Sequence, residues 1–283
     1  MQWHLALRLF CAFLYTALSS HCQIITAIVP TCNRFEPLND AVHSVLNQTV
    51  TIHEVIVVVS DGHKCMHNVG NPWGNRVRIL HMEGCKKNIC GTAGRARQYG
   101  IERADPNTTH FAFLDDDDVW LPNKTNMQLE AMKRENLSVV SSDAFVTEGL
   151  RGRCSENGKY QSWNLTNLAS LSLKRLNGEK CASQVLHKFG GKLPTRVTFH
   201  EISRHNIFVQ SATMMEKHAL MGGYDLDATN GNEDYGLAKK VLKKFPAVYL
   251  LDATVIYDDN KSFRGCIRHS DTPTNRKLLT IQN

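Results

Sequence analysis

The sequence predicts an α/β fold, a sheet covered by helices on both faces. Short runs that are apolar from end to end, IITAIV, EVIVVV, VRILHM and HFAFL, recur between residues 24 and 114. Strands buried on both faces read this way, whereas a sheet with one wet face alternates apolar and polar residues. Segments with apolar residues at helical spacing separate these runs, which is the layout of strands joined by crossover helices. At 283 residues and 42% hydrophobic content, the chain has the material for a substantial core, as one large domain or two small ones.

The first 22 residues stand apart. Arg8 precedes an apolar core at 9–18, and Ser19 and Ser20 follow, the three-part layout of a secretory signal peptide. The apolar core is about half of the ~20 residues that a bilayer span needs, so a short membrane anchor is the alternative, and a buried first element of the fold is the structural one. The expected division is therefore 1–22 as signal or anchor and 23–283 as a single domain. No other run is long enough to span a membrane.

Residues 24–29 are the first strand, closed by Pro30. At 37–47, Leu38, Ala41, Val42 and Val45 share one helical face, with Pro37 in the first turn. The strands at 54–59 and 77–82 follow. A helix spans 92–104, with Ala93, Ala96 and Ala104 on one face and Arg95, Arg97 and Arg103 elsewhere. The strand at 110–114 runs directly into Asp115, Asp116, Asp117 and Asp118. Beyond Pro122 come a helix at 123–135 and a strand at 138–142. The pattern weakens from 151 to 204; a strand is then expected at 207–215 and a helix at 233–244. That last helix opens on acids, closes on lysines and is followed by Pro246, all in agreement with its dipole. In such sheets ligands collect at the C-terminal strand ends. Residues 31–34, 60–62 and 115–118 converge there.

A formal charge of +6 suits an anionic small molecule, but no dense Lys/Arg stripe with interleaved aromatics exists, so nucleic acid is not expected as a partner. Nine cysteines and Asn-x-Ser/Thr sequons at Asn47, Asn107, Asn123, Asn136, Asn164 and Asn260 suit an oxidising, glycosylating compartment. Cys85 with Cys90 and Cys154 with Cys181 are possible bridges, although pairing is not fixed by sequence. No paired CxxC knuckles point to zinc.

Four adjacent carboxylates need a reason. Two of them ~4 Å apart repel by about 4 kcal/mol at an effective dielectric of 20. On a strand end, Asp115 and Asp117 would face one way and Asp116 and Asp118 the other. A divalent cation, Mn2+ or Mg2+, relieves one face with substrate phosphates completing its shell, and the other pair can cap the next helix. A solvated acidic turn with a helix cap is the alternative for the tetrad alone.

The tetrad has company. TAIVPTCNR (26–34), VVSDG (58–62), ARQYGIERA (96–104), AFLDDDDVWLPNK (112–124), GGYD (222–225) and NEDYGLAKK (232–240) resemble, in order and approximate spacing, the blocks of family 2 glycosyltransferases. The resemblance extends over most of residues 24–258. It implies a GT-A-like fold with a mixed, mainly parallel sheet, a nucleotide-binding half at about 24–143 and an acceptor-binding half at about 144–283. It also implies site residues. Pro30, Thr31 and Arg34 would border the nucleotide, Asp61 would bind its base, and Arg97 would lie near the diphosphate. Asp115 would face the ribose with Asp116 beside it on the donor side. Asp117 would hold the metal, and Asp234, or else Glu233, would be the catalytic base. Ser60 replaces the first acid of the usual DDG, which leaves the nucleotide open, although a UDP-sugar is favoured. Gln98 replaces the usual Asn and Cys32 an aromatic.

Glycosyl transfer needs negative charge stabilised on a leaving diphosphate and a carboxylate to accept a proton from the attacking hydroxyl. In the polar tail, Lys261 and Arg264 would close over the diphosphate and His269 would add a metal ligand, or all three are solvated. Trp120 and Trp163 either stack on an acceptor sugar, pack in the core or serve in a lid. The processive members' QxxRW motif and membrane spans are absent from this sequence, so one sugar per encounter is expected. The expected enzyme is an inverting transferase in the secretory lumen (ER or Golgi) or secreted, or tethered by its N-terminus, acting on a glycan, glycoprotein or glycolipid. A sugar-phosphate nucleotidyltransferase and a non-catalytic sugar-binding relative are the competing readings.

Overall fold

The computed structural model describes residues 23–32, 35–60, 71–82, 92–147, 182–184, 193–225 and 232–258. Strand β1 (Ile25–Thr31) is followed by helix α1 (Phe35–Leu46), strands β2 (Glu54–Val59) and β3 (Val77–His81), and helix α2 (Ala93–Glu102). Then come β4 (His110–Phe113), the short β5 (Val119–Trp120), α3 (Lys124–Glu135) and β6 (Val139–Thr147). The remaining elements are β7 (Ala182–Gln184), β8 (Arg196–Val197), α4 (Phe199–Arg204), a 3-10 turn at Gln210–Ala212, β9 (Thr213–Glu216), a second at Lys217–Leu220, α5 (Glu233–Leu242) and β10 (Ala247–Asp258).

One ten-stranded sheet runs β3-β2-β1-β4-β9-β6-β10-β5, with β7 on β6 and β8 on β10. The long ladders, β1 with β2, β2 with β3 and β6 with β10, are parallel, and β9 and β5 enter antiparallel. The fold is thus the mixed, mainly parallel α/β sheet expected from the sequence. Strand β1 shows why its residues are apolar throughout. Ile25, Ala27 and Val29 pack with Leu38, Ala41, Val42 and Val45 of α1 on one face. Ile28 packs on the other with Ile56, Val58, Ala96 of α2 and Leu237 and Val241 of α5.

Two expectations need correction. Residues 207–215 do not form one strand: Gln210–Ala212 is a 3-10 turn, and β9 begins at Thr213. The carbonyls of Ser211 and Ala212 accept from the Trp120 indole at 2.8 Å and the Gln128 amide at 2.7 Å. Those side chains occupy the hydrogen bonds that a neighbouring strand would need. The acidic pair does not cap the helix after the turn either. Asn123 is the N-cap residue of α3 and makes no side-chain cap bond. Strand β10, the longest in the sheet, had no sequence expectation at all. Its register against β6 shifts around Leu250 to Val255, and Leu251 and Asp252 are exposed there. Among the described residues, no helix is long and apolar enough to cross a membrane.

Candidate active site

The four aspartates form a turn at the end of β4. The Asp118 amide donates to the Asp115 carbonyl at 3.1 Å, which closes a four-residue turn with Asp116 and Asp117 at its tip. The alternation inferred from a strand survives in the turn as alternating burial. Asp115 and Asp117 are half-buried, and Asp116 and Asp118 are buried.

Each end of the turn is held differently. The Asp115 carboxylate pairs with the Arg97 guanidinium. The Asp116 carboxylate accepts from the Thr31 hydroxyl at 2.6 Å, within the protein. The Asp118 carboxylate, fully buried, accepts from the Ser211 hydroxyl and, at 2.9 Å, from the Asp258 amide at the end of β10. Burial pushes the Asp118 carboxyl up from its ordinary value, and the neighbouring charges of Asp117 and Asp115 add to this, while its two donors oppose it.

Arg97 joins the turn to helix α5. Its second terminal nitrogen contacts Asp234 at 2.5 Å, in the first turn of α5, and only 1% of the arginine side chain is exposed. Burial alone would lower its pKa, but Asp115 and Asp234 together outweigh that and hold the guanidinium charged, above its ordinary value. Its carbon lies 5.8 Å from the centre of the Tyr224 ring. Asp234 is pushed up to about 7, first by burial and then by the charges of Asp115 and Glu233, against the pull of Arg97. A third of that side chain is open, so solvent tempers the effect.

Local sequence explains this convergence. Thr92 caps α2 by accepting from the Arg95 amide at 3.3 Å, which starts the helix one turn before Arg97. A Cβ on Gly94 would stand 2.5 Å from Glu233 Cγ, so glycine lets α2 and the start of α5 touch. Gly223, at φ +84°, brings its backbone against Gln98, where a Cβ would meet the amide oxygen at 1.8 Å. That same oxygen accepts from the Tyr224 amide at 3.0 Å. Gln98 therefore anchors the GGYD loop beside Arg97.

Other expected positions fall as follows. Pro30 and Thr31 end β1 and are buried, and Ser60 donates twice to the Thr31 carbonyl, from its amide at 2.9 Å and its hydroxyl at 3.1 Å. Trp120 is core, 1% exposed. Cys32 is disulfide-bonded. Arg34, Asp61, Trp163, Lys261, Arg264 and His269 lie outside the described residues, as do Cys85, Cys90, Cys154 and Cys181. Sequence reasoning missed Ser211 and Gln210; the Gln210 amide donates to the Tyr224 hydroxyl at 2.5 Å. A lone serine and glutamine in an apolar run offer no pattern to detect.

A family model for glycosyl transferase family 2 matches residues 26–189. The chain belongs to that family. An uncharacterized glycosyltransferase of Rickettsia felis is 32% identical over 120 residues, 41% of this chain and 18% of that protein. The Escherichia coli UDP-Glc:alpha-D-GlcNAc-diphosphoundecaprenol beta-1,3-glucosyltransferase WfgD is 31% identical over 118 residues, 41% of this chain and 44% of that protein. The chain thus spans less than half the length of either relative. Among solved structures, S. aureus TarS 1-349 in complex with UDP-GlcNAc superposes with a TM-score of 0.54 at 14% identity, covering 84% of this chain and 59% of that one. Mannosyltransferase PcManGT from Pyrobaculum calidifontis, in complex with GDP-Man and Mn2+, superposes at 0.51 and 15% identity, covering 86% and 58%. These two similarities show the fold, which is GT-A-like.

Among the described residues, no group of three or more His, Cys, Asp or Glu is arranged to hold a metal ion. Magnesium-like ions commonly take one or two protein carboxylates and complete their shell with substrate phosphates and water. Asp117, half-buried at the tip of the turn with Asp115 two residues away, fits a family 2 metal bound in that way.

Proposed function

We propose that the protein is a metal-dependent, inverting, non-processive glycosyltransferase that moves one sugar from a nucleotide-sugar donor to an acceptor hydroxyl. The observation that carries this reading is the Arg97 bridge, which puts Asp115 of the turn and Asp234 of α5 on one guanidinium. Donor-side and acceptor-side carboxylates are thereby held across a single cation.

Asp234 is the base. A carboxyl raised to about 7 is a stronger proton acceptor than an ordinary aspartate and is still substantially ionised near neutral pH. It accepts the acceptor hydroxyl proton while that oxygen bonds to the anomeric carbon. The carbon–oxygen bond to the diphosphate breaks in the same displacement, and its electron pair leaves with the phosphate. One displacement inverts the configuration. Asp117 holds the metal, which when bound would stabilise the charge on the leaving diphosphate. Arg97 orients Asp234 and Asp115, and Glu233 adds negative charge beside the base.

A UDP-sugar is the favoured donor; the UDP-Glc in the name of the E. coli relative and the UDP-GlcNAc bound to TarS support it, while PcManGT with GDP-Man keeps the alternative in view. The acceptor is a glycan, glycoprotein or glycolipid. The Cys32 disulfide and exposed sequon asparagines at 47, 107, 123 and 136 support a place in the secretory lumen or outside the cell, with residues 1–22 as signal or tether.

The test is the full chain with manganese and a panel of nucleotide sugars, scored for nucleoside diphosphate release, beside Asp117→Asn and Asp234→Asn. Loss of release in both variants is expected. Pyrophosphate turnover would instead identify a nucleotidyltransferase, and binding without turnover a sugar-binding relative. Full metal-dependent activity in Asp117→Asn would remove Asp117 from the metal.

A further inference from the structure

We propose that Ser211, which lies outside every block of the family resemblance, is a positioning residue that sets the span of the acidic turn and so aims Asp117. This rests on the reading of Asp117 as the metal carboxylate. The turn closes through one backbone bond, between the Asp118 amide and the Asp115 carbonyl at 3.1 Å. Four carboxylates on it tend to splay it open by mutual repulsion. The Ser211 hydroxyl works against this from both ends at once. It accepts from the Asp115 amide at 3.0 Å and donates to the Asp118 carboxylate. Only a group that both donates and accepts can make that staple, and a hydroxyl is the smallest one.

Ser211 is itself immobilised. It is fully buried, and its carbonyl accepts from the Trp120 indole at 2.8 Å. The next carbonyl, Ala212, accepts from the Gln128 amide at 2.7 Å, and the Gln128 oxygen accepts from the Lys124 ammonium at 2.7 Å. That ammonium sits 4.0 Å from the centre of the Trp120 ring. The hydroxyl is thus presented from a rigid support, and the second Asp118 oxygen is occupied by the Asp258 amide at 2.9 Å. With the Asp115 backbone and the Asp118 side chain both fixed, the backbone that carries Asp116 and Asp117 at the turn tip is held as well. Partners that orient a ligand in this way typically change metal affinity by roughly 10- to 100-fold when removed.

The experiment is a manganese titration of the full chain in the presence of UDP, and separately of GDP, following loss of the free-ion paramagnetic signal, so that no turnover is needed. Ser211→Ala is expected to bind manganese about 10-fold more weakly, with Ser211→Thr, which keeps the hydroxyl, recovering most of the affinity. In turnover assays the manganese activation constant should rise more than kcat falls. Unchanged manganese affinity in Ser211→Ala, with affinity lost in Asp117→Asn, overturns the Ser211 role and leaves the metal reading standing. Equal weakening in Ala and Thr variants assigns the effect to packing and also overturns it. A wild-type chain that binds no manganese with either nucleotide removes the metal reading and this inference together. Should Ser211→Ala not fold, Asp118→Asn, which keeps an acceptor for the Asp258 amide but gives up the carboxylate facing Ser211, decides by the same titration; unchanged affinity there overturns the proposal.

Discussion

Asp115 and Asp118 end the same turn and are held by opposite means. Asp115, with 28% of its side chain exposed, rests on a guanidinium that it shares with Asp234. Asp118, fully buried, rests on a hydroxyl and a backbone amide with no cation of its own described beside it. A buried cation favours the ionised form of its partners, against the burial that opposes it, and couples them to one another. Neutral donors fix a carboxylate's geometry without adding positive charge that would repel an incoming metal. On the proposed mechanism the open end of the turn serves the chemistry and the closed end holds the shape.

The largest break in this comparison is Asp234→Asn. As base, Asp234 is expected to account for roughly 10²- to 10⁴-fold in kcat, with donor KM little changed in a sugar-transfer assay; a variant with full kcat would take the base elsewhere. The same residue sets a pH dependence. With Asp234 as the proposed base, transfer needs its carboxylate, so the acidic limb of the rate profile should rise through about 7. Stability runs the other way. At Asp234 the folded chain holds up to one proton more than the unfolded chain between about 4, the ordinary aspartate value, and about 7, so the contribution of this residue to stability falls as pH rises through that window. In Asp234→Asn that slope should flatten, as read from urea midpoints across pH.

Arg97→Met tests the open end directly. Removing a buried cation from two carboxylates costs about 3 kcal/mol, the low end of the usual range because both acids keep some contact with water. Urea unfolding reads this, and a loss no larger than that of a surface ion pair would show the bridge to be peripheral. Next comes Gly94→Ala, which pushes a methyl against Glu233; overpacking of this kind costs ~2 kcal/mol, and kcat should fall as α5 shifts Asp234 away from Arg97. Smallest is Trp120→Phe at the closed end, where the Ser211 carbonyl loses one donor, worth about 1 kcal/mol by thermal unfolding.

Much of the open end was legible in the sequence. Its residues lie in blocks with a strong local pattern: apolar strands β1 to β4, helix α2, and acids at the start of α5; the burial of Arg97, expected off the apolar face of α2, left no such trace. The closed end was not, because it is assembled from long-range contacts that leave no periodic trace. Ser211 sits in an apolar stretch read as a continuous strand, whereas its carbonyl and that of Ala212 are taken by the Trp120 and Gln128 side chains, 91 and 84 residues away in sequence from the residues they bond. Strand β10 escaped for a related reason. Its run is interrupted by exposed Leu251 and Asp252 where the register slips, so it matches neither the alternating nor the wholly buried pattern. Helix α4 is short, and its Thr198–Glu201 capping box lies where the surrounding sequence has no clear period.

The place of β10 bears on how the protein is made. Its final amide, at Asp258, completes the grip on Asp118, and the strand pairs with β5, β6 and β8. Strands β1 to β4 leave the ribosome first, yet the acidic turn lacks the Asp258 amide until residue 258 has been synthesised and docked. A product truncated before β10 would therefore carry most of the donor-side strands with an unbraced cluster of four carboxylates, an exposed sheet edge and no working centre.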